Sequence, residues 1–558
     1  MTVALFLTLA FGTNASRACA NSLELHTVNK VQQEVTKQNF EPDDPQNNHT
    51  IFVAAYSVHG NTALTDAYIA ELLQPFTNRE LSNEQIHLAA HTLQLGYAKS
   101  GLFAARVIIP AQAVVNNTVT LHVYEGRTAI GGIELHNSQN RVDNSRLFQY
   151  IQNNIVQGEL IQSRDYERVI SLIERLPGMS SRATLYPGSS VGSANFLIET
   201  HDEAQFDGNI YVNNYGNYYT GKERFGAQLN INSPSKSGDK LSINALSATG
   251  HSHYGLISYD MPIGGDGARI GASIDYVSYK LGKRFASLDA QGDSSQLRLF
   301  ASYPLIASRH ANLNLVSDLF SLKSKDSDNT GLLSKRTISG IEISVNGDHD
   351  DDFIANGVSY FSLSMTLGDN DISGNDDYIA FDNANSKTSG DFRRINFELA
   401  RSQHLSGRLS GFLSLKGQFA DKNLDASQKF YIGGPHSGAG YPVGELSGDD
   451  AMLLYADIRY DLDSTVQTQA SIFYSYGKAK LYHEPWPSMQ VNTPQLSGDI
   501  TLQSMGVGTH ITLFDDLAVN LIIGKQVGSN LGADVLTGED TDESNSDYRF
   551  WAQALYTF

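Results

Sequence analysis

No stretch of this chain holds the eighteen or more consecutive apolar residues of a membrane-spanning helix, yet from about Ala204 to Phe558 apolar side chains recur at every second position. Phe225, Ala227, Leu229 and Ile231 form one such run, and Ile270, Ala272, Ile274 and Tyr276 another. Leu297, Leu299, Ala301 and Tyr303 repeat the pattern, as do Leu517, Val519, Leu521 and Ile523. Strand geometry puts each set on one face and the intervening Ser, Asn, Gln, Asp and Arg on the other. Alternation alone also fits a soluble sandwich, whose apolar faces meet in a core. Two features favour lipid: the alternate faces are polar enough to line water, and the last strand, YRFWAQALYTF, ends on the aromatic Phe558. At about ten residues per tilted strand, the roughly 350 residues available supply on the order of sixteen strands, enough for one closed barrel without an edge.

Composition agrees. Charged residues make up 18%, with 48 Gly and 27 Tyr, as suits many strands joined by turns. A formal net charge of −20 argues against nucleic acid, because no basic surface is available to displace counterions from phosphates. At the start, an apolar run from Val3 to Phe11 precedes the small-residue site Ala18-Cys19-Ala20, which reads as a secretory signal over residues 1–20. No basic residue precedes that run. Cleavage after Ala20 would remove the only cysteine, so neither a disulfide nor a thiolate is expected in the mature chain.

Between Ile51 and Thr200 the pattern is different and occurs twice. A strand Ile51–Val58 leads to a helix around Asp66–Leu73, a second helix from Ser82 with Gln85 completing a capping box, then strands Leu102–Ile109 and Thr118–Tyr124. The order repeats with a strand Ala129–Leu135, helices near Ser145–Asn153 and Asp165–Leu176, and strands Ser181–Tyr186 and Ala194–Glu199. A polar helix, Leu23–Phe40, and the breaker EPDDPQNN precede both modules.

Several passages together carry a resemblance. They are VHGNT, LGYAKSGLFAARVIIPAQ (Leu95–Gln112) and LHVYEG in the first module, and IERLPGMSSRATLYPG (Ile173–Gly188) in the second. In the barrel they are GGPHSGAGYPVGELSGDD (Gly433–Asp450) and FYSYGKAKLYHEPW (Phe473–Trp486). In this order the chain resembles the TpsB transporters of two-partner secretion, the ShlB/FhaC/HecB type, within the outer-membrane barrels that carry POTRA domains. The resemblance implies two small α/β POTRA domains, residues 51–126 and 127–203, followed by an antiparallel outer-membrane β-barrel of about sixteen strands over 204–558. Residues 21–50 would be a plug helix and linker. It also implies a Gram-negative outer membrane, modules in the periplasm, and export of one unfolded exoprotein without ATP or other cofactor. Lipid and lipopolysaccharide around the barrel, barrel-assembly machinery that recognises Phe558 during biogenesis, and a monomeric state are expected with it. An exoprotein segment would add as a strand to the first module's edge at Leu102, Ala104, Arg106 and Ile108.

By the same resemblance, the glycine-rich passage is a lid loop folded into the lumen, with Gly434, Gly438, Ala439, Gly440 and Tyr441 at its tip. Ser475, Tyr476 and Gly477 belong to the inner strand it meets. The family's lid usually carries an Arg that pairs with an Asp on that strand. Here Ala439 and Ser475 stand in those places. Loss of one partner would strand a buried charge, whereas loss of both removes the penalty. Tyr441 packing, glycine backbone contacts and His436 or Lys478 are the expected substitutes.

Other motifs are set aside. Gly188-Ser189-Ser190-Val191-Gly192 matches GxSxG but follows Pro187 and precedes a strand, so a turn is expected rather than a nucleophile elbow. The calcium-like start Asp369-x-Asp371-x-Ser373-Gly374 lacks its closing Glu, with Ala380 in that place. Asp348–Asp352, Asp369–Asp377 and Glu539–Asp547 read as solvated loops. His251 and His253 have no third ligand nearby, so no metal is expected. Trp486 and Trp551 read as interfacial girdle residues. The rival functions are a barrel-assembly insertase, an outer-membrane enzyme, for which no catalytic constellation is evident, and a plain porin or adhesin.

Overall fold

The computed structural model describes residues 50–138, 140–462, 466–492, 498–534 and 536–558. The segments expected as signal peptide (residues 1–20) and plug helix (Leu23–Phe40) lie outside them. Two compact units form, one ending at Glu203 and one beginning at Ala204.

The first unit holds both modules. In module one, β1 (Ile51–Val53), β2 (Ala55–His59), α1 (Asp66–Leu73), β3 (Arg79–Leu81), α2 (Asn83–Lys99), β4 (Arg106–Ile108) and β5 (Thr118–Tyr124) follow one another. The sheet order is β2–β5–β4, with β2 parallel and β4 antiparallel to β5. The single strand expected over Ile51–Val58 is instead two, since β1 pairs with β3. The cause is local: the Asn117 carbonyl accepts N–H groups from both Ala54 and Ala55, which turns the chain between the two ladders.

Helix α2 starts where its sequence says. Ser82 accepts from the Gln85 N–H, and the Gln85 side chain accepts from the Ser82 N–H at 2.9 Å. The helix buries Ile86, Ala89, Ala90, Leu93 and Tyr97. The VHGNT passage is structural: Thr62 and Ala63 donate their N–H groups to the buried Glu125 carboxylate at 2.6 and 2.8 Å, and the Tyr97 hydroxyl donates to Asn61 at 2.6 Å. Burial, with Glu125 beside it, pushes the Tyr97 hydroxyl above its ordinary pKa.

Module two comprises β6 (Arg127–Asn137), α3 (Asn144–Asn154), α4 (Ser163–Glu174), β7 (Met179–Pro187) and β8 (Ser193–Asp202), with sheet order β6–β8–β7. The GxSxG segment is the turn between β7 and β8, closed by Gly188 N–H to the Ser193 carbonyl. The Ser163 N–H donates to the Gly101 carbonyl and the Ile161 N–H to that of Gly126, while Leu160 packs on the core of module one.

The second unit is a closed antiparallel barrel of sixteen strands. Its first half is β9 (Phe206–Asn213), β10 (Arg224–Asn232), β11 (Lys240–Ala248), β12 (Ser252–Ile263), β13 (Ala268–Lys280), β14 (Gln291–Ala307), β15 (Ala311–Asp328) and β16 (Gly331–Asp351). Next come β17 (Gly357–Ser373), β18 (Gly390–Ser406) and β19 (Leu409–Ala420). A lid then leaves the wall, carrying the short ladder β20 (Phe430–Ile432) and β21 (Leu446–Gly448). The wall resumes with β22 (Asp450–Leu462), β23 (Gln467–Lys480), β24 (Asp499–Leu513), β25 (Leu517–Val527) and β26 (Tyr548–Thr557).

The outward face identifies the solvent. Phe225, Ile274 and Leu297, apolar members of the alternating runs, and Ile472 of β23 are 54, 56, 51 and 68% exposed. In a soluble sandwich they would be its core, so a continuous apolar belt of this kind faces lipid. No helix is long and apolar enough to cross a membrane among the described residues.

The acids at Asp348–Asp352 and Asp369–Asp377 are only partly in loops. Asp348 and Asp350 lie on β16, while Asp369 and Asp371 lie on β17, because these strands run to 21 and 17 residues and extend the wall past an ordinary span.

Closure joins β26 to β9 over five residue pairs, from Gln553 with Asn213 to Thr557 with Asn209. Asn214 lengthens this seam with its side chain, donating to the Phe550 carbonyl and accepting from the Ala552 N–H at 2.9 and 2.8 Å. At the other end Gly208 and Phe558 exchange backbone hydrogen bonds.

Candidate functional site

The lid, residues 421–449, has two differently built sides. Its first stretch is held by charge. Leu424 is buried among Phe320, Leu322, Ile338 and Phe392 on the inner faces of β15, β16 and β18. Next to it, Asp425 accepts from the Arg336 guanidinium of β16 at 2.8 Å, both side chains about 5% exposed or less. Arg336 also donates to Asp326 of β15, which accepts from the Tyr279 hydroxyl at 2.6 Å as well. Arg394 of β18 and Gln418 of β19 both donate to the Gln428 carbonyl. At the lid's neck, Lys429 pairs with Asp449 at 2.8 Å, and Asp449 accepts further N–H groups from Leu424 and His483. Removing one member of such a buried pair costs about 3–5 kcal/mol, because the other is left uncompensated.

The tip, residues 433–443, is held without an ion pair and, among the described residues, without a charged side chain in its hydrogen bonds. Among the described residues, no ion pair involves residues 433–448. The backbone folds on itself through Gly434 N–H to the Tyr441 carbonyl and Tyr441 N–H to that of Gly438. Tyr441 is fully buried and packs with Leu453, Ala479, Ile500 and Leu502. Ala439 is buried with Tyr215, Phe473 and Trp551, and the Trp551 indole N–H donates to its carbonyl at 2.8 Å. His436 stands edge-on to Tyr215, with ring centroids 5.6 Å apart. Asn217 donates to the Val443 carbonyl. Beyond the tip, the buried Glu445 carboxylate accepts from Asn530 and Thr541 of the loop between β25 and β26, a charge-assisted anchor on the lid's return to the wall.

The glycines serve two needs. Gly433 and Gly434 have φ of +117° and +91°, which a side chain disfavours. Gly440 needs space: a Cβ there would lie 2.6 Å from the Gln526 nitrogen, and one on Gly524 would lie 2.2 Å from the Ala439 carbonyl carbon. The tip is thus pressed backbone to backbone against β25.

These contacts divide the sequence-derived site residues. Gly434, Gly438, Ala439, Gly440 and Tyr441 do lie together in the buried tip. Of the inner-strand set, Gly477 lies against the lid, where a Cβ would meet Ile432 at 2.8 Å. The Ser475 hydroxyl faces inward and shares a 2.7 Å hydrogen bond with Ser504. Tyr476 falls on the opposite, outward face, as two-residue alternation requires, and is not a lid contact. Lys478 is likewise outward, paired with Asp499, and does not hold the lid. Trp551 also departs from its expected place: at 5% exposed it points into the barrel and belongs to the lid site, not to a girdle. Trp486 lies in a loop and packs on Phe381 and Tyr482.

The first module's edge also differs from the expected one. Strand β4 has only three residues, of which Arg106 and Ile108 belong to the expected set. Leu102 is 5% exposed in the module core, because its N–H caps α2 at the Tyr97 carbonyl and folds it inward. Ala104 lies in the following turn, under Gly126. The edge's own N–H at Val107 points away from β5 and donates to the Gln94 side chain of α2 at 3.3 Å. Leu88 and Leu95 of that helix, and Ile108, are exposed. Sequence reading missed Gln94, which as a polar residue on a helix surface gives no local signal.

A sixteen-stranded barrel with a lid folded inward, preceded by two small α/β modules, defines a transport-type outer-membrane protein with periplasmic POTRA domains. The family model of haemolysin secretion/activation proteins ShlB/FhaC/HecB matches residues 192–488, more than half of the chain, and that of the ShlB-type POTRA domain matches 51–126. The chain belongs to the ShlB/FhaC/HecB family, the TpsB transporters of two-partner secretion. The heme/hemopexin transporter protein HuxB of Haemophilus influenzae (strain 86-028NP) is 27% identical over 88% of this chain and 84% of its own length. The outer membrane transporter CdiB of Dickeya dadantii is 23% identical over 70% of this chain and 67% of its own. Among solved structures, CdiB from Escherichia coli superposes with a TM-score of 0.72 at 16% identity, covering 95% of this chain and 98% of the other.

Proposed function

We propose that the barrel exports one large exoprotein, captured unfolded at the first module's edge and passed through the lumen when the lid yields. The observation that carries this is the lid's construction, a wall loop folded inward onto the barrel's inner face and held at residues 433–443 by neutral contacts alone. A permanently open pore has no use for such a device. At the edge, an incoming strand would replace the Gln94 carbonyl at the Val107 N–H, so backbone hydrogen bonding gives sequence-tolerant capture. Arg106 and Ile108 would flank the added strand. With neither ATP nor an ion gradient at this membrane, folding of the passenger outside supplies the drive.

No step requires a cofactor or bond-making side chain, and we read the protein as a non-enzymatic transporter that acts as a monomer in lipid and lipopolysaccharide. Phe558, paired at the closing seam, is the segment we assign to recognition by barrel-assembly machinery. HuxB is described as a heme/hemopexin transporter, and its similarity over most of the chain favours a haem-related passenger. Deleting the gene should remove one large protein from the cell surface and medium, with other outer-membrane barrels unchanged. General loss of barrels would favour the insertase instead.

A further inference from the structure

The family resemblance leads one to expect an arginine on the lid and an acid on the wall; this chain has an acid on the lid and an arginine on the wall, in a different place. Asp425 and Arg336 lie 89 residues apart in sequence and meet where the first lid stretch docks on β15 and β16. Asp326 flanks the same guanidinium, and Lys429 with Asp449 closes the neck. The opposite end of the lid rests on β23 to β26 and on Tyr215 through packing, the Trp551 hydrogen bond and the backbone contact of Gly440.

We propose that Arg336 and Asp425 are positioning residues that keep the lid's first stretch fixed during export, and that only the tip, residues 433–443, moves, between that stretch and the Glu445 carboxylate anchored by Asn530 and Thr541. The passage then opens along the wall that carries Tyr215, Phe473, Ser475, Ser504 and Trp551, while the β15–β16 side stays covered. A dry ion pair flanked by a second acid separates reluctantly, because each charge must find water again. Neutral contacts exchange for water at little net cost. This inference rests on the reading of the lid as a gate, and its test requires no passenger.

Two buried inner-wall serines report the two sides: Ser504, fully buried between Leu502 and Ser475, and Ser334, 1% exposed beside Asp326. With Cys19 replaced by serine, Ser504→Cys and Ser334→Cys are each introduced into the full-length protein in proteoliposomes and treated with a water-soluble maleimide. Gly524→Ala, which keeps a strand residue but drives a methyl into the Ala439 backbone, is then added to each. The expected result is labelling of Ser504→Cys faster by about tenfold, the size of losing one or two neutral hydrogen bonds, with Ser334→Cys still protected. Single-channel recordings of Gly524→Ala should show a larger open fraction in step. Asp425→Asn should lower the temperature at which the folded barrel is lost without speeding Ser504→Cys labelling in molecules still folded. If that variant does not fold, Arg336→Lys, which keeps the charge but not the fork that reaches both acids, should lower that temperature less and again leave Ser504→Cys labelling at its unaltered rate. Equal labelling at both cysteines, no labelling at Ser504→Cys, or exposure of Ser504→Cys by Asp425→Asn alone would overturn the assignment. Absence of export with this labelling pattern intact would instead count against the transport reading.

Discussion

The modules and the barrel use the same apolar residues in opposite senses. In the first module, α2 turns Leu93 and Tyr97 into a core from which water is excluded. In the barrel, Ile274 and Leu297 turn outward and are left about half exposed by their neighbours. The difference shows that an alternating pattern fixes which side chains share a face but not which face is inside. Strand number decides that: a closed sheet of sixteen strands is too wide to be filled by its own side chains, so its lumen holds water and the apolar set is left for lipid.

Three substitutions sharpen this contrast, in order of expected effect. Leu93→Ala, at a fully buried position, should cost module one about 2–5 kcal/mol by loss of packing and a residual cavity. Protease sensitivity of residues 51–203 in the intact protein would report it, with barrel mobility on electrophoresis unchanged. Ile274→Arg should cost the barrel about 2–4 kcal/mol if the position lies at mid-membrane, measured by urea unfolding in liposomes. A cost near zero would place that belt outside the bilayer. Gln94→Ala should change stability by about 0.5 kcal/mol or less, as expected of a surface position. It should nonetheless strengthen binding of an extended peptide from the secreted partner, because the Val107 N–H no longer has a competitor. Unchanged or weaker binding would show that the edge at β4 is not where the partner docks.

How much of this could be read in the chain follows from the range of each contact. The Ser82–Gln85 box, the buried stripe of α2 and the alternating strands are set by residues a few positions apart, and the fold class follows from them. Contacts across the lumen leave no such trace. Arg336 and Asp425, or Ala439 and Trp551 at 112 residues apart, meet only after the barrel closes. That is why Trp551 reads as a girdle residue and Lys478 as a lid partner until the wall's alternation assigns each its face. Ala439 and Ser475 do carry a signal, since both partners of the expected pair are absent together, but it states what the lid lacks and not what replaces it. The edge was misplaced for a related reason: Leu102 has the pattern of a strand residue, and a helix cap claims it first.

Export as proposed is the directed passage of an unfolded chain from the module side through the lumen. Its most direct test uses the purified protein in liposomes, modules outward, with the denatured secreted partner added outside and protease applied after a set time. Partner fragments should become protected inside the vesicles, and the protection should disappear when residues 51–126 are deleted from a barrel that still folds. Protection that persists without the module, or none with the intact protein, would contradict it.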